Sequence, residues 1–342
     1  MVGAPGADWE RVIGHASSQF VLPTLAAALQ DLGLIGCLDE ELGAFLVAVH
    51  AANEERNGEL CDGLAAAVSV LNRSNIEPVL LKGAIRLVDP LYPDRGWRML
   101  RDLDLLVAEP RWTEAVGLFR RAGYRVDDKI NKGVQLWAPK GLVSVDLHRE
   151  LFSTTRRERL LRADEVFKCS RPVDFGDGVV RLPAPVHQIV HLIGHKQLQD
   201  HNHACGRVAW RDWFEAAALE HWGREGIDWQ TVVARFTAAG YRRALLTFLL
   251  SLETYALCPV PVPMRLDAWT SLHRRRLRAH AKSARFAQIS SWTAWCICEV
   301  RKQFEEHDSG RPRIIKNINR LIFEREAAGK MARRAMGRSP QP

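Results

Sequence analysis

The sequence lacks the patterns that mark secreted and membrane-spanning proteins. No basic segment followed by an apolar core opens the chain, and no apolar run approaches the roughly 18 residues of a membrane span. These absences predict neither a cleaved signal peptide nor a transmembrane segment, so a cytoplasmic location is the default expectation. The seven cysteines are scattered, odd in number and contain no C-x-x-C pair, which indicates reduced, mostly buried thiols.

The amino-acid composition is that of an ordinary globular protein. The 342 residues are 47% hydrophobic and 26% charged, enough for two or three modest domains with real cores. The formal net charge of +8 favours an anionic partner. A nucleotide, a nucleic acid and a phosphorylated substrate all satisfy that condition, and charge does not choose among them.

Apolar spacing divides the chain into four parts and predicts an α+β fold. Residues 1–75 form a helical lead-in, and 76–155 hold short strands and connecting helices that build a small mixed β-sheet core. The segments "RLVDPLY" and "RWTEAVGLFRRAGY" are predicted as its connecting helices. Residues 156–305 form a mostly helical C-terminal domain with a short β insert, "RPVDFGDGVVRLP", and 306–342 form a basic helix and tail.

Two aspartates stand one residue apart at the start of the run "RDLDLLV". Residues i and i+2 of a strand point the same way, so Asp102 and Asp104 share one face while Leu103 and Leu105 fill the other. Two like charges at the mouth of a buried strand need a cation, which could be a metal ion, a neighbouring arginine or solvent exposure. A D-x-D pair alone is weak, since about one is expected by chance in such a chain.

The surrounding segments strengthen this signal. The earlier strand "PVLLKG" stops at Lys82 and Gly83, where a helix begins, and such a turn can seat a phosphate on backbone N–H groups. About 40 residues after the pair, "LVSVDLHREL" predicts another strand that carries Asp146. Three carboxylates beside a glycine turn suit Mg²⁺ held together with substrate phosphates.

The ordered set "LLKG…YPDRGWRMLRDLDLLV…VDLHREL" resembles a family of uncharacterised bacterial nucleotidyltransferases in the polymerase-beta superfamily. The resemblance runs from about residue 45 to 215. It implies two Mg²⁺ ions, for which Mn²⁺ could substitute, with Asp102 and Asp104 binding both ions. Asp146 would bind the catalytic ion and activate the acceptor, and Gly83 would lie near the triphosphate.

The same resemblance implies transfer of an NMP from an NTP to an unknown acceptor, which could be a protein, a tRNA or a small molecule, with release of pyrophosphate. Lys82 and Arg98 are candidate phosphate contacts, although an arginine beside acids is as often a surface ion pair. His148 lies on the strand face of Asp146 and could touch the acceptor or simply be a buried histidine. The family pattern places His195 on a helix that faces the catalytic cleft.

Arg101 departs from the superfamily pattern, in which the residue before the acid pair is usually small. Its guanidinium could grip the triphosphate, or it could pair with the carboxylates and compete with metal. The second case predicts a non-catalytic nucleotide sensor or adaptor with a degenerate site.

Two further segments allow other functions. Histidines at i, i+4 and i+8 in "HQIVHLIGH" could ligate zinc for a metallohydrolase, or they could make polar contacts inside a helical domain. The last 33 residues hold nine Lys or Arg against two Glu. They could bind nucleic acid, another polyanion or a membrane surface, or form a solvated terminal helix.

Overall fold

The computed structural model describes residues 7–130, 133–139, 143–153, 157, 159–207, 209–223, 225–256 and 267–305. The chain divides into two units, the first containing residues 1–194 and 210–240 and the second containing 195–209 and 241–342. The basic tail, 306–342, lies outside the described residues. The predicted α+β class is confirmed, because a mixed sheet with flanking helices precedes a helical region.

The first unit is built on a seven-stranded sheet with the order β3-β4-β5-β2-β1-β7-β6. Its strands are β1 (Val79–Leu81), β2 (Leu103–Leu106), β3 (Arg125–Ile130), β4 (Gly133–Trp137), β5 (Ser144–His148), β6 (Arg171–Phe175) and β7 (Gly178–Leu182). Strand β2 pairs antiparallel with β1 and parallel with β5. The two predicted apolar runs, "PVLLKG" and "RDLDLLV", therefore form neighbouring strands, β1 and β2, at the centre of the sheet.

Helices cover this sheet and fill the rest of the first unit. They are α1 (Trp9–Ser18), α2 (Leu22–Asp31), α3 (Glu40–Asn72), α4 (Trp112–Arg121), α5 (Ala163–Lys168), α6 (Pro185–Gly194), α8 (Trp210–Trp222) and α9 (Trp229–Ala238). One face of α3 buries Leu60, Leu64, Val68 and Leu71, spaced three to four residues apart, in the same apolar core as the central strands. This packing holds α3 against the sheet, and the polar residues Asn53 and Asn57 are buried earlier in the same helix.

Three local predictions differ from the structure. The segment "RLVDPLY" is not a connecting helix: a 3₁₀-helix covers Lys82–Leu87, and an irregular loop follows up to β2. The polar segment "RVDDKI" forms edge strand β3, which the sequence pattern missed. The predicted β insert exists as the hairpin β6–β7, but Val79 of β1 pairs with Arg181 of β7, so the hairpin extends the same sheet.

The second unit is helical in its described part. It contains a π-helix at His195–Gln199, then α7 (Asn202–Cys205), α10 (Arg242–Ala256), α11 (Ala268–Lys282) and α12 (Ala284–Glu305). Asp267 caps α11 by accepting a hydrogen bond from the backbone N–H of Thr270. The expectation of mostly buried thiols is wrong for the described cysteines, since Cys205 alone among them is buried and Cys37 and Cys169 are exposed.

Candidate active site

The register of the two central parallel strands brings the candidate acids together. Asp104 of β2 lies opposite Asp146 of β5, and Leu106 lies opposite His148. Since alternate residues share a face, Asp104, Asp146 and His148 project from the same side of the sheet. Each of these three side chains offers a possible metal-ligand atom within 4.8 Å of the others.

Asp104 is the most buried acid of this group. Its side chain is 2% exposed, and its Oδ1 accepts hydrogen bonds from Lys82 Nζ at 2.5 Å and from His148 Nε2 at 2.8 Å. Burial alone would raise the pKa of this carboxyl, but Lys82 and His148 outweigh that effect and hold the pKa well below its usual range. Asp104 is therefore an ionised carboxylate throughout the physiological pH range.

Asp102 has a different electrostatic environment from Asp104. It is half-buried and precedes the first residue of β2. Burial and the charge of Asp104 raise the pKa of Asp102, while Lys82, Arg101 and Arg211 oppose that rise. Asp102 is not one of the three residues whose ligand atoms lie within 4.8 Å of one another. Its predicted role as a ligand to both metals stays a prediction.

The turn after β1 has an unusual backbone. Lys82 adopts a φ of +49°, a left-handed conformation that side chains other than glycine seldom occupy. Burial lowers the pKa of the Lys82 ammonium, but Asp104 and Asp102 outweigh burial and raise it above its usual value. The strained backbone thus places a firmly protonated amine beside the central carboxylate.

Gly83 is required by the packing behind this turn. A Cβ at Gly83 would lie well inside 3.0 Å of both the Arg98 guanidinium and Leu100 Cδ2. Gly83 and Arg98 are therefore packed against each other in the interior. Their predicted contacts with the triphosphate stay predictions.

Arg98 belongs to a buried ion network that the sequence pattern did not reveal. Glu215 of α8 accepts from Arg98 Nε at 2.5 Å through Oε2 and from Arg86 Nε at 2.6 Å through Oε1. Burial would raise the pKa of Glu215, but the two arginines lower it to about 2. The only hint in the sequence is that Glu215 follows Arg211 and Asp212 by about one helical turn.

The irregular loop before β2 is held by amide side chains of α3. Asn53 Nδ2 donates to the carbonyl oxygen of Gly96 at 2.6 Å, and Asn57 Nδ2 donates to those of Arg95 and Arg98 at 2.6 and 2.7 Å. These hydrogen bonds replace the backbone pairing that a helix or strand would supply. They fix the chain on its way from the glycine turn to the two aspartates.

Two arginines flank the acidic group. The guanidinium carbons of Arg101 and Arg211 lie 5.2 and 5.5 Å from the centroid of the same Phe20 ring. Both arginines act electrostatically on Asp102. Phe20 thus brings a residue from the loop before β2 and one from α8 to the same edge of the site.

The remaining predicted histidines have partners outside the acidic group. His195 belongs to the second unit, where its Nδ1 is 3.6 Å from Asp200 Oδ2, and its role in nucleotide binding stays a prediction. His187 lies 3.5 Å from Glu165, and His191 packs edge-on against Phe152. Among the described residues, the histidine segment forms no group of three close metal-ligand atoms, so the structure lends no support to a zinc metallohydrolase.

A family model described as "Uncharacterised nucleotidyltransferase" matches residues 5–256. The chain belongs to this nucleotidyltransferase family. The match includes the whole seven-stranded sheet and helices α1–α9, and it ends before the basic tail. No curated protein and no solved structure matches this chain significantly. No helix in the described part of the chain is long and apolar enough to cross a membrane.

The donor set of this group is suitable for a divalent cation. Two carboxylates and one imidazole converge from adjacent strands, and Asp104 is held in its ionised form. Oxygen donors favour Mg²⁺ or Mn²⁺, while the imidazole is also compatible with a softer ion. The residues fit a possible metal site without fixing which ion occupies it.

Proposed function

We propose that this chain is a divalent-metal-dependent nucleotidyltransferase that moves an NMP from an NTP to an acceptor and releases pyrophosphate. One observation carries the proposal: Asp104, Asp146 and His148 converge from two parallel strands beside the protonated Lys82. Family membership supports transfer of a nucleotidyl group as the reaction class. The acceptor class is an unknown protein, tRNA or small molecule.

Each residue near the site has a role in this proposal. Asp104 and Asp146, with Asp102 as a further ligand, would hold two Mg²⁺ ions. When bound, such ions neutralise phosphate charge and lower the pKa of an acceptor hydroxyl. Asp146 is only partly buried and would take the acceptor proton. His148 donates to Asp104 and so orients that carboxylate.

The cationic residues would position the triphosphate. Lys82, Arg101 and Arg211 all act electrostatically on Asp102, so each would attract the phosphates of an NTP held beside the acids. Arg98 would contribute indirectly, because its guanidinium bonds Glu215 and packs on Gly83. An acceptor oxygen would attack the α-phosphorus in line, and the bond to pyrophosphate would break on the opposite side.

The test is transfer of α-phosphate label from each of the four NTPs with Mg²⁺, using cell extract as the source of acceptor. Label is followed into protein, RNA and small-molecule fractions, and pyrophosphate is measured in parallel. Asp104→Asn and Asp146→Asn should each lower transfer by about 100-fold or more, since each removes a charge from the site. Asp174→Asn, an exposed change on edge strand β6, is the matched control. Transfer that survives Asp104→Asn would refute the proposal.

A second candidate function is a nucleotide sensor or adaptor without catalysis. The observation that favours it is the 2.5 Å ion pair between Lys82 and Asp104, since an ammonium in that position neutralises the carboxylate without a metal. This function predicts NTP binding that persists in EDTA and produces no pyrophosphate. Binding that requires Mg²⁺ and is followed by pyrophosphate release would exclude it.

A further inference from the structure

A large aromatic cavity lies within the first unit, next to the arginines of the candidate active site. Its volume is about 1030 Å³, and its walls come from α1, α2, the loop before β2 and α8. Small-molecule sites commonly enclose about 300–1,000 Å³. The cavity is therefore large enough for a whole organic ligand. None of its lining residues has a role in the reaction proposed above.

Aromatic rings form much of its wall. Tyr92 and Trp97 stack with ring centroids 6.2 Å apart and planes 17° from parallel, and Trp222 meets Tyr92 edge-on. Trp210 and Phe214 of α8 line the cavity as a second ring pair, 6.1 Å apart. Trp222 is 56% exposed, so its ring is accessible to a ligand from solvent. Flat rings of this kind favour a flat apolar ligand body.

The polar groups that line the cavity are mainly basic. Arg11, His15 and His221 lie on it, and Asp8 is the one carboxylate among the described lining residues. Asp8 Oδ1 accepts a hydrogen bond from the backbone N–H of Arg11 at 3.0 Å, so this carboxylate already caps α1. Nitrogen donors therefore dominate the polar wall, and they complement an anionic group on the ligand.

The cavity adjoins the catalytic residues through α8 and the start of α2. Its lining residues Val21 and Trp210 are the chain neighbours of Phe20 and Arg211. Phe20 packs against both Arg211 and Arg101, and Arg101 is bonded in sequence to Asp102. Phe20 and the two arginines thus connect the edge of the cavity to the acidic group. A ligand that extends from the cavity past Phe20 would approach the acids.

We infer that this cavity binds the acceptor, a small molecule with a flat apolar body and an anionic group. This inference rests on the proposed nucleotidyl transfer. An acceptor oxygen would form the bond to the α-phosphorus, the bond between the α-phosphorus and pyrophosphate would break, and the acceptor proton would pass to Asp146. The anionic group would stay at the basic wall and would not react.

Binding is tested first, with two dyes of matched shape. The anionic dye 8-anilinonaphthalene-1-sulfonate and its neutral analogue N-phenyl-1-naphthylamine are titrated against the full chain by fluorescence. Ala217→Phe places a ring in the cavity and should weaken the anionic dye by about tenfold or more. Ala52→Phe, on an exposed face of α3, should not. Arg11→Gln should weaken the anionic dye and leave the neutral dye unchanged.

Melting temperatures establish that each variant folds. If Ala217→Phe does not fold, the exposed Trp222→Ala replaces it, with the same loss expected. Dye affinity that neither cavity variant changes would place the dye elsewhere and overturn the assigned site. Equal affinity for the two dyes would overturn the inference that the ligand carries an anionic group.

The acceptor role is tested by label transfer from NTP into the small-molecule fraction of cell extract. Ala217→Phe should lose this product at least about tenfold and keep wild-type NTP affinity, because the substitution fills only the acceptor cavity. An unchanged product, or label in protein or RNA alone, would overturn the acceptor role. Absence of all transfer by the wild type would instead refute the proposed function, while the dye titrations would still decide whether the cavity binds a ligand.

Discussion

At the residue scale, Glu215 decides how the turn behind the site is held. It is the shared partner of Arg86 and Arg98, and all three side chains are at least nine-tenths buried. Replacing Glu215 by Gln removes the counter-charge that two buried cations share, a loss of about 3–5 kcal/mol of unfolding free energy for such networks. Urea unfolding measures this change, with the exposed Glu225→Gln as the matched control.

The lowered pKa of Glu215 predicts how this difference in unfolding free energy changes with pH. The folded pKa of Glu215 is about 2 against an ordinary value of 4.5, so its charge stabilises the fold fully above pH 4.5. That contribution is lost as the pH falls from 4.5 toward 2. The difference in unfolding free energy between wild type and Glu215→Gln should therefore narrow over this window. A constant difference would mean that the charge of Glu215 is not what stabilises the network.

Lys82 is the second residue with a testable electrostatic role. Burial raises the pKa of Asp104, and Lys82 is the strongest influence opposing it. In Lys82→Met the pKa of Asp104 should rise, so the acid limb of the transfer rate should move to higher pH. A pH–rate profile measures this shift, and the exposed Lys168→Met should leave the profile in place. An unmoved acid limb would show that another group controls the ionisation of Asp104.

At the element scale, the 3₁₀-helix after β1 depends on close packing at Gly83. In Gly83→Ala the new methyl group must displace Arg98 or Leu100, and overpacking of this kind costs about 1–3 kcal/mol. Gly58, inside α3, has open space where its Cβ would be. Gly58→Ala should therefore stabilise the protein by about 0.5–1 kcal/mol. Thermal unfolding of the two variants should shift in opposite directions, and equal shifts would contradict the packing argument.

The elements also show which parts of the fold the sequence could predict. Strands β1, β2 and β5 are short apolar runs bounded by turn residues, and each was predicted because its pattern is local. Strand β3 was missed because the edge segment "RVDDKI" is polar and has only β4 as its neighbour. The pairing of β1 with β7 joins residues about 100 positions apart, and no local pattern encodes such a contact.

The candidate site, like the fold, was predictable from the sequence only in part. Asp104, Asp146 and His148 were recognised because each lies on a predicted strand, and the parallel register of β2 and β5 then brings them together. Glu215 was not recognised, since its partners are Arg98 and Arg86, which are 117 and 129 residues earlier in the chain. The aromatic cavity was not expected either. Trp97 and Trp210 lie far apart in the sequence, and only the fold shows that both line one open volume.

At the scale of the whole molecule, positive charge is concentrated at one end of the chain. The last 33 residues hold nine Lys or Arg and two Glu, so they carry most of the formal net charge of +8. The nucleotidyltransferase family match ends at residue 256, before this segment. Binding of long polyanions and transfer of a nucleotide should therefore be separable properties.

Deletion of residues 306–342 tests this separation. Affinity for single-stranded RNA should fall, and the dependence of log affinity on log salt should become shallower, by about 0.7 for each phosphate that the tail neutralises. The NTP-dependent transfer rate should remain within about twofold of the full chain, since Asp104 and Asp146 lie on strands of the sheet and Lys82 directly follows β1. Filter binding at several salt concentrations, beside the label-transfer assay, measures both. An unchanged salt slope would show that RNA contacts the first 305 residues, and a lost transfer activity would show that the tail takes part in the reaction itself.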